Sequence, residues 1–192
     1  MLRTIVLTLF ILSPVAHAEW KPFVFEDPMT DVVSKGAMVD SINIQDNRRA
    51  TLVAFCKAGE LKAYVTNVGY FSGQGFYDVM WRVDKNKPVT EKWHGDSSND
   101  ILRFSDFLSM IDDFKSGGRY LLRAKRDYAN HVDYEFSLAG FKEAFSDALN
   151  ECKSEYDKYS IEKKDREIRL ARSRVPDPEY VQSIVDKFSV KK

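Results

Sequence analysis

The sequence predicts an α+β fold in which an antiparallel sheet, sandwich-like or strongly curved, packs with a short helix and a long C-terminal helix. Three observations predict it. Apolar and polar residues alternate with a period of two up to about Leu138, the apolar period then changes to 3.6, and one cysteine lies in each part. The 192 residues, 44% hydrophobic and 30% charged, have the length and composition of one globular domain.

The first 18 residues have the composition of a secretory signal. Arg3 precedes an uncharged stretch, 4–12, and Ala16 and Ala18 form an A-x-A cleavage pattern. The apolar run is far shorter than the roughly 20 residues that span a bilayer. We therefore expect cleavage after Ala18 and a periplasmic mature chain without a transmembrane segment; an uncleaved anchor is the alternative.

Eight segments between the leader and Leu138 have the composition or the alternation of strands. The clearest pair is 50–56 with 60–65, because Lys57-Ala58-Gly59 makes the short connection that hairpins use. The eight predicted strands are 22–25, 36–44, 50–56, 60–65, 76–83, 89–93, 119–126 and 132–138. Within 76–83, one face carries Tyr77, Val79, Trp81 and Val83, and the other carries Asp78, Met80 and Arg82.

Helical spacing appears first in residues 105–114, where Ser105 is placed to cap a short helix. After Leu138 one apolar stripe recurs at helical spacing. It consists of Phe141, Ala144, Phe145, Ala148, Leu149 and Cys152. We expect this stripe to pack a long helix against the sheet.

The chain changes character after Cys152. From Lys153 to Arg174, 13 of 22 residues are charged, which predicts a solvated helical continuation. Pro176-Asp177-Pro178 breaks it, and a short amphipathic helix follows. Its apolar face, Val181, Ile184, Val185 and Phe188, is a candidate for a homo-oligomer contact or a partner groove. The predicted organisation is a signal peptide (1–18), a core domain (19–152) and a charged helical extension (153–192).

The two cysteines predict a structural disulfide. Cys56 and Cys152 have no CxxC spacing and no nearby pair of histidines, which argues against a redox or zinc site in an exported protein. The bond would fasten the buried face of the last core helix to the strand 50–56. Two buried free thiols are the alternative.

Several classes of chemistry find no support in the residue pattern. Equal numbers of basic and acidic residues, 29 each, give no cationic excess for nucleic-acid binding. His94, Asp96, Ser97 and Ser98 are neighbours along a polar loop, which is not the geometry of a catalytic triad. The glycine-rich stretch with Gly69, Gly73 and Gly75 is not followed by the Lys-Ser/Thr of a phosphate-binding loop. Glu26, Asp27 and Asp31 lack the ligand spacing of a calcium loop.

We therefore expect no catalytic residue, no metal and no cofactor. A hydrolase stays open as an alternative, because carboxylates distant in the sequence could still converge in a pocket.

A binding surface is the remaining candidate site. Arg119, Arg123, Lys125 and Arg126 lie on one predicted strand and Arg82 on another. Together with tryptophans and Tyr64 they could form an arginine and aromatic surface of the kind enriched at binding hot spots. The candidate residues are Trp81, Arg82, Trp93, Arg123 and Lys125. An ordinary exposed sheet face is the alternative.

An ordered set of short motifs resembles the VasI/TagO-like family of exported proteins associated with type VI secretion. The resemblance covers roughly 20–152, and family members usually end soon after the second cysteine, whereas this chain continues to Lys192. The motifs are Trp20 with Asp27-Pro28-Met29-Thr30-Asp31, 52–56 with 60–65, 79–84 with Trp93, Tyr120-Leu121-Leu122-Arg123, and 136–140 leading to Cys152.

The expected function is that of a non-enzymatic accessory or binding protein in the periplasm of a Gram-negative bacterium. Its protein partner would be a component of the envelope or of a secretion system. The alternative is an envelope inhibitor, or a phage- or island-encoded effector, that blocks a cell-wall enzyme through the loop 69–75.

Overall fold

The computed structural model describes residues 19–44, 47–69, 75–96, 100–125, 131–174 and 178–189. Within these residues nine strands form one antiparallel sheet in the order β1-β2-β3-β4-β7-β6-β5-β8-β9. The strands are β1 (Lys21–Glu26), β2 (Val33–Asp40), β3 (Thr51–Lys57), β4 (Glu60–Thr66), β5 (Gly75–Val83), β6 (Val89–Asp96), β7 (Ile101–Arg103), β8 (Arg119–Lys125) and β9 (His131–Ser137).

The predicted antiparallel sheet is confirmed, with one addition. Eight strands correspond to the predicted segments, whereas the three residues of β7 were not predicted. They are too few to show a period of two, and they become a strand because both neighbours, β4 and β6, pair with them.

The sheet is strongly curved, so that its last strand, β9, contacts the residues that directly follow β2. The backbone N–H of Ile42, just after β2, donates to the carbonyl of Glu135 in β9 at 2.7 Å. The Asn43 amide donates to the carbonyl of Asp133 at 2.6 Å and accepts from the N–H of Glu135 at 2.8 Å. These contacts fix the outer edge of β9.

The helical elements are a 3-10 turn (Leu108–Met110), α1 (Ile111–Ser116), α2 (Phe141–Ala144), α3 (Ser146–Glu151), α4 (Lys153–Arg174) and α5 (Pro178–Ser189). Helices α1–α3 and the first half of α4 pack on one face of the sheet, here called the inner face. A cluster of aromatic rings joins helices to sheet, with Phe114 touching Phe104, Phe107, Tyr120 and Phe141. Burying each such ring contributes about 1.5–3 kcal/mol.

The first predicted helix begins later than expected. Ser105 does not cap it, because its hydroxyl donates to Glu91 Oε2 at 2.7 Å. Asp106 Oδ1 instead accepts the N–H of Ser109 at 3.1 Å, which starts the turn at Leu108.

The helix predicted after Leu138 is divided at Phe145 and at Cys152, but its apolar stripe faces the core as expected: four of its six residues are buried, and Ala144 and Leu149 are half-buried. The predicted disulfide is confirmed: Cys56 on β3 is bonded to Cys152 at the end of α3, with 5.8 Å between the Cα atoms.

The charged extension forms α4, whose first half is attached to the core rather than fully solvated. Glu155 Oε2 accepts the backbone N–H of Leu61 at 2.6 Å, and the Tyr156 hydroxyl donates to Asp112 Oδ1 at 2.6 Å. Helix α5 begins at Pro178 and packs on α4. The side chains of Val181, Ile184 and Phe188 lie outside the described residues, and Val185 is half-buried. None of the described helices has the length and apolar character needed to span a bilayer.

Candidate binding surface on the outer face of the sheet

The five candidate residues do not share one surface. The expectation that Trp81 and Trp93 are exposed is not met, since they are 9% and 0% exposed on the inner face. Opposite residues of an antiparallel pair project to the same side, and Trp93 lies opposite the buried Tyr77. The Trp93 ring packs against Phe104 at 4.1 Å and its Nε1 donates to Glu91. The alternation in β5 already separates Trp81 from Arg82, which is the signal that could have corrected this.

The basic candidates lie on the opposite, outer face. Arg82 of β5 is opposite Leu121 of β8, and Arg123 is opposite Met80. The described part of the outer face contains a depression of about 470 Å³ at this place, which we call the outer trough. Its lining residues are Asn43, Met80, Trp81, Arg82, Pro88, Leu121, Leu122, Arg123, Asp133, Tyr134 and Glu135. Of these, Trp81, Leu122 and Tyr134 are buried, so the other eight form its exposed surface. Lys125 is exposed at the end of β8 and does not line the trough.

Two arginines of β8 are neutralised by carboxylates of β9. Arg123 forms a bidentate pair with Asp133, with Nε to Oδ1 at 2.7 Å and Nη2 to Oδ2 at 2.6 Å. This hydrogen bonding lowers the pKa of Asp133 and raises the pKa of Arg123. Arg119 Nη1 lies 3.2 Å from Glu135 Oε1. Both arginines therefore already have a carboxylate partner, and the two pairs lie on either side of Leu121.

Arg82 differs from these two arginines. It is half-buried, yet none of the described residues makes an ion pair or a hydrogen bond with its guanidinium. Its neighbours on the outer face include Met80, 40% exposed, and the half-buried Leu121. The outer trough thus places the Arg82 guanidinium, unpaired among the described residues, next to the apolar side chains of Met80 and Leu121. This combination suits a segment that carries an acidic group next to apolar side chains. Met80 and Leu121 were not among the candidate residues, although the alternation in their strands places them on this face.

Tyr64 lies elsewhere on the molecule. Its ring contacts Phe55 of β3 edge-on at 5.8 Å, and both line a second depression beside the short strand β7. Because β4, β7, β6 and β5 are successive strands of the sheet, Tyr64 is three strands away from Arg82.

The other segments considered for chemistry stay apart. His94 is exposed and its ring contacts Phe76, while Ser97 and Ser98 lie outside the described residues. Asp27 Oδ1 accepts the N–H of Met29 in a local turn, and this hydrogen bond lowers the pKa of Asp27. The loop 70–74 and Arg126 also lie outside the described residues. Over the described ranges, no group of three His, Cys, Asp or Glu side chains is placed to hold a metal ion.

Comparison with known proteins gives one structural likeness to report. No protein-family model matches this chain, and no curated protein matches it. Among solved structures, the chain is similar to invasion associated protein B from Bartonella henselae, with 14% sequence identity and a TM-score of 0.44. The match covers 72% of this chain and 94% of that chain.

Proposed function

We propose that this protein is an exported, non-enzymatic binding protein of the envelope that holds a partner protein in the outer trough. We further propose that it is related to the VasI/TagO-like accessory proteins of type VI secretion, on the strength of the ordered motifs between Trp20 and Cys152. The extension after Cys152 is a departure from that family.

The compartment is supported by two independent features. The first 18 residues have the pattern of a cleavable secretory signal. The Cys56–Cys152 disulfide joins positions 96 residues apart, and such structural bonds persist mainly in oxidising compartments such as the periplasm.

The observation that carries the binding proposal is the state of Arg82. An arginine that is half-buried without a counter-charge loses hydration and gains no ion pair in return. A carboxylate supplied by a partner would provide a charge-assisted, bidentate contact, and the apolar side chains of Met80 and Leu121 would exclude water around it. Arg119 and Arg123 cannot serve in the same way because Glu135 and Asp133 already bind them.

The test places a photo-crosslinking amino acid at Leu121 of the full-length protein in its native envelope. We expect irradiation to give one discrete crosslinked protein, identified by mass spectrometry. Arg82→Ala should reduce the yield at least tenfold, which corresponds to about 1.4 kcal/mol of binding.

Two controls accompany this test. Lys92→Ala removes another outer-face cation, one that is paired with Asp78, and should leave the yield unchanged. The same crosslinker at the exposed Lys142 of α2 should give no adduct. Equal yields at 121 and 142, an unchanged yield in Arg82→Ala, or a cytoplasmic protein with its leader attached would each contradict the proposal. If the crosslinked protein is a cell-wall enzyme that this protein inhibits, the accessory function is wrong and the protein is an envelope inhibitor.

A further inference from the structure

We propose that two copies of this chain pair along the free edge of β1, so that their sheets join about a two-fold axis at Val24. This surface is separate from the outer trough, and the inference goes beyond the proposed function.

Strand β1 is the first strand of the sheet order, and β2 is its hydrogen-bonded neighbour. It is unusually apolar for an edge. Val24 is 69% exposed and Phe25 is 56% exposed, with their side chains on opposite faces of the strand. An exposed apolar edge strand is a template for pairing with another chain. Trp20 anchors the start of this strand, because it is buried and its Nε1 donates to the carbonyl of Ser137 at 2.8 Å.

One hydrogen bond determines which backbone groups of β1 are available. The N–H of Asp27 donates to the carbonyl of Val32 at 3.0 Å, in register with the β1–β2 ladder. Backbone groups alternate between the two sides of a strand, so those of Phe23 and Phe25 also face β2. Those of Pro22, Val24 and Glu26 therefore face the free edge. Pro22 is compatible with this phase, because the N–H that proline lacks would point away from β2.

This phase restricts how two copies can pair. Hydrogen bonds between two copies can form only between the backbone groups that face the free edge in each copy. Val24 can therefore lie opposite Val24 of the second copy. That register forms four hydrogen bonds. Each Val24 N–H donates to the backbone carbonyl of Val24 in the other copy, and each Glu26 N–H donates to the backbone carbonyl of Pro22 in the other copy. Both edge-facing donors of the strand, Val24 and Glu26, are then used.

The side chains complement one another in the same register. Phe23 lies opposite Phe25 of the second copy on the outer face, which forms two cross-strand aromatic pairs. Lys21 lies opposite Asp27 of the second copy, which gives one pair of opposite charges at each end. A shift that sets Val24 opposite Glu26 would also form four hydrogen bonds, but it would set the carboxylate of Asp27 against Phe23. The charge pattern therefore favours a second copy in the Val24 register as the occupant of this edge.

The test measures the association of the processed protein, with its disulfide intact, by sedimentation equilibrium. We expect a concentration-dependent dimer. Val24→Pro removes two of the four hydrogen bonds without touching the β1–β2 ladder, and it should raise the dimer dissociation constant more than tenfold. Val24→Thr is the matched control, because it keeps the N–H and the branched shape and should leave the dimer in place. Arg82→Ala should leave the dimer unchanged, which separates this result from the test of the trough.

Cysteine crosslinking tests the register itself. Val24→Cys should form a disulfide-linked dimer in mild oxidant, whereas Glu26→Cys should not crosslink to itself, because its partner position is residue 22. Mixing Glu26→Cys with Pro22→Cys should restore crosslinking. A monomer at every concentration, a dimer unaffected by Val24→Pro, equal crosslinking at positions 24 and 26, or a dimer lost only when residues 176–192 are deleted would each overturn the proposal.

Discussion

The sheet with α1–α3 and the helix α4 are stabilised by different kinds of interaction. Phe114 of α1 is fully buried and touches four other aromatic rings, whereas Ile161 of α4 is 62% exposed. The first half of helix α4 is held to the core by hydrogen bonds of Glu155 and Tyr156 and by the half-buried Tyr156 ring, which packs against the core. The difference teaches that the stability of the core depends on buried apolar area, while the attachment of α4 depends largely on a few polar contacts that respond to pH and salt.

The largest contrast should come from truncating one apolar residue in each region. Phe114→Ala leaves a cavity inside the aromatic cluster and should lower the free energy of unfolding by about 3–5 kcal/mol. Ile161→Ala, its counterpart on α4, should change it by less than about 0.5 kcal/mol. Urea unfolding followed by fluorescence and circular dichroism measures both. Similar losses for the two variants would mean that α4 shares the core.

The disulfide lies at the border between the two regions, because it fastens the end of α3 to β3 and α4 begins directly after Cys152. Replacing Cys56 and Cys152 together by alanine should cost about 2–5 kcal/mol, since the bond closes a long loop in the unfolded chain. Denaturant unfolding measures the loss. Reductant should destabilise the original protein to the same level and leave the alanine variant unaffected; a reductant effect on the variant would point to another cause.

Asp112 of α1 reports on the polar attachment of α4. Partial burial alone raises the pKa of Asp112, but hydrogen bonds from Tyr156 and Lys163 outweigh it, and the pKa lies below its ordinary value of 3.8. A lowered pKa in the folded state contributes stability above pH 3.8 that is lost as the pH falls through the folded value. Asp112→Asn should therefore cost about 0.5–1 kcal/mol at pH 7, discounted for solvent exposure, and nothing in strong acid.

The control for this prediction is the neighbouring Asp113→Asn, whose side chain is exposed. It should show no comparable loss at pH 7. Unfolding measured from pH 7 down to strong acid distinguishes the two variants, and parallel curves for both would show that Asp112 does not attach α4.

The smallest effect is expected within α4 itself. Lys153 Nζ lies 2.5 Å from Asp157 Oδ2, and both side chains are at least half exposed. Asp157→Asn should lower stability by about 0.3–0.5 kcal/mol at low salt and by nothing measurable in about 1 M salt. If Asp157→Asn lowers the free energy of unfolding equally in high salt, Asp157 stabilises α4 by something other than an exposed ion pair.

Much of the fold could be predicted because it is local. The alternation in β5 and β8 states which side chains share a face, and the helical stripe that contains Cys152 states which side of α3 is buried. The candidate surface was less predictable. Residue type alone groups the tryptophans with Arg82, although the alternation in β5 places Trp81 on the other face. Arg82 differs from Arg123 because it is half-buried and because no carboxylate among the described residues binds it as Asp133 binds Arg123.

The sequence by itself determined the antiparallel sheet, the period of each element and the cysteine pair, because backbone geometry repeats every two or 3.6 residues and shows in the order of side chains. Only the tertiary structure decided that β7 lies between β4 and β6 and that Asn43, after β2, bonds to β9. It also decided that none of the described residues supplies a counter-charge to Arg82. Those facts depend on residues far apart in the chain, whose distances are set by the curvature of the whole sheet and not by any local pattern.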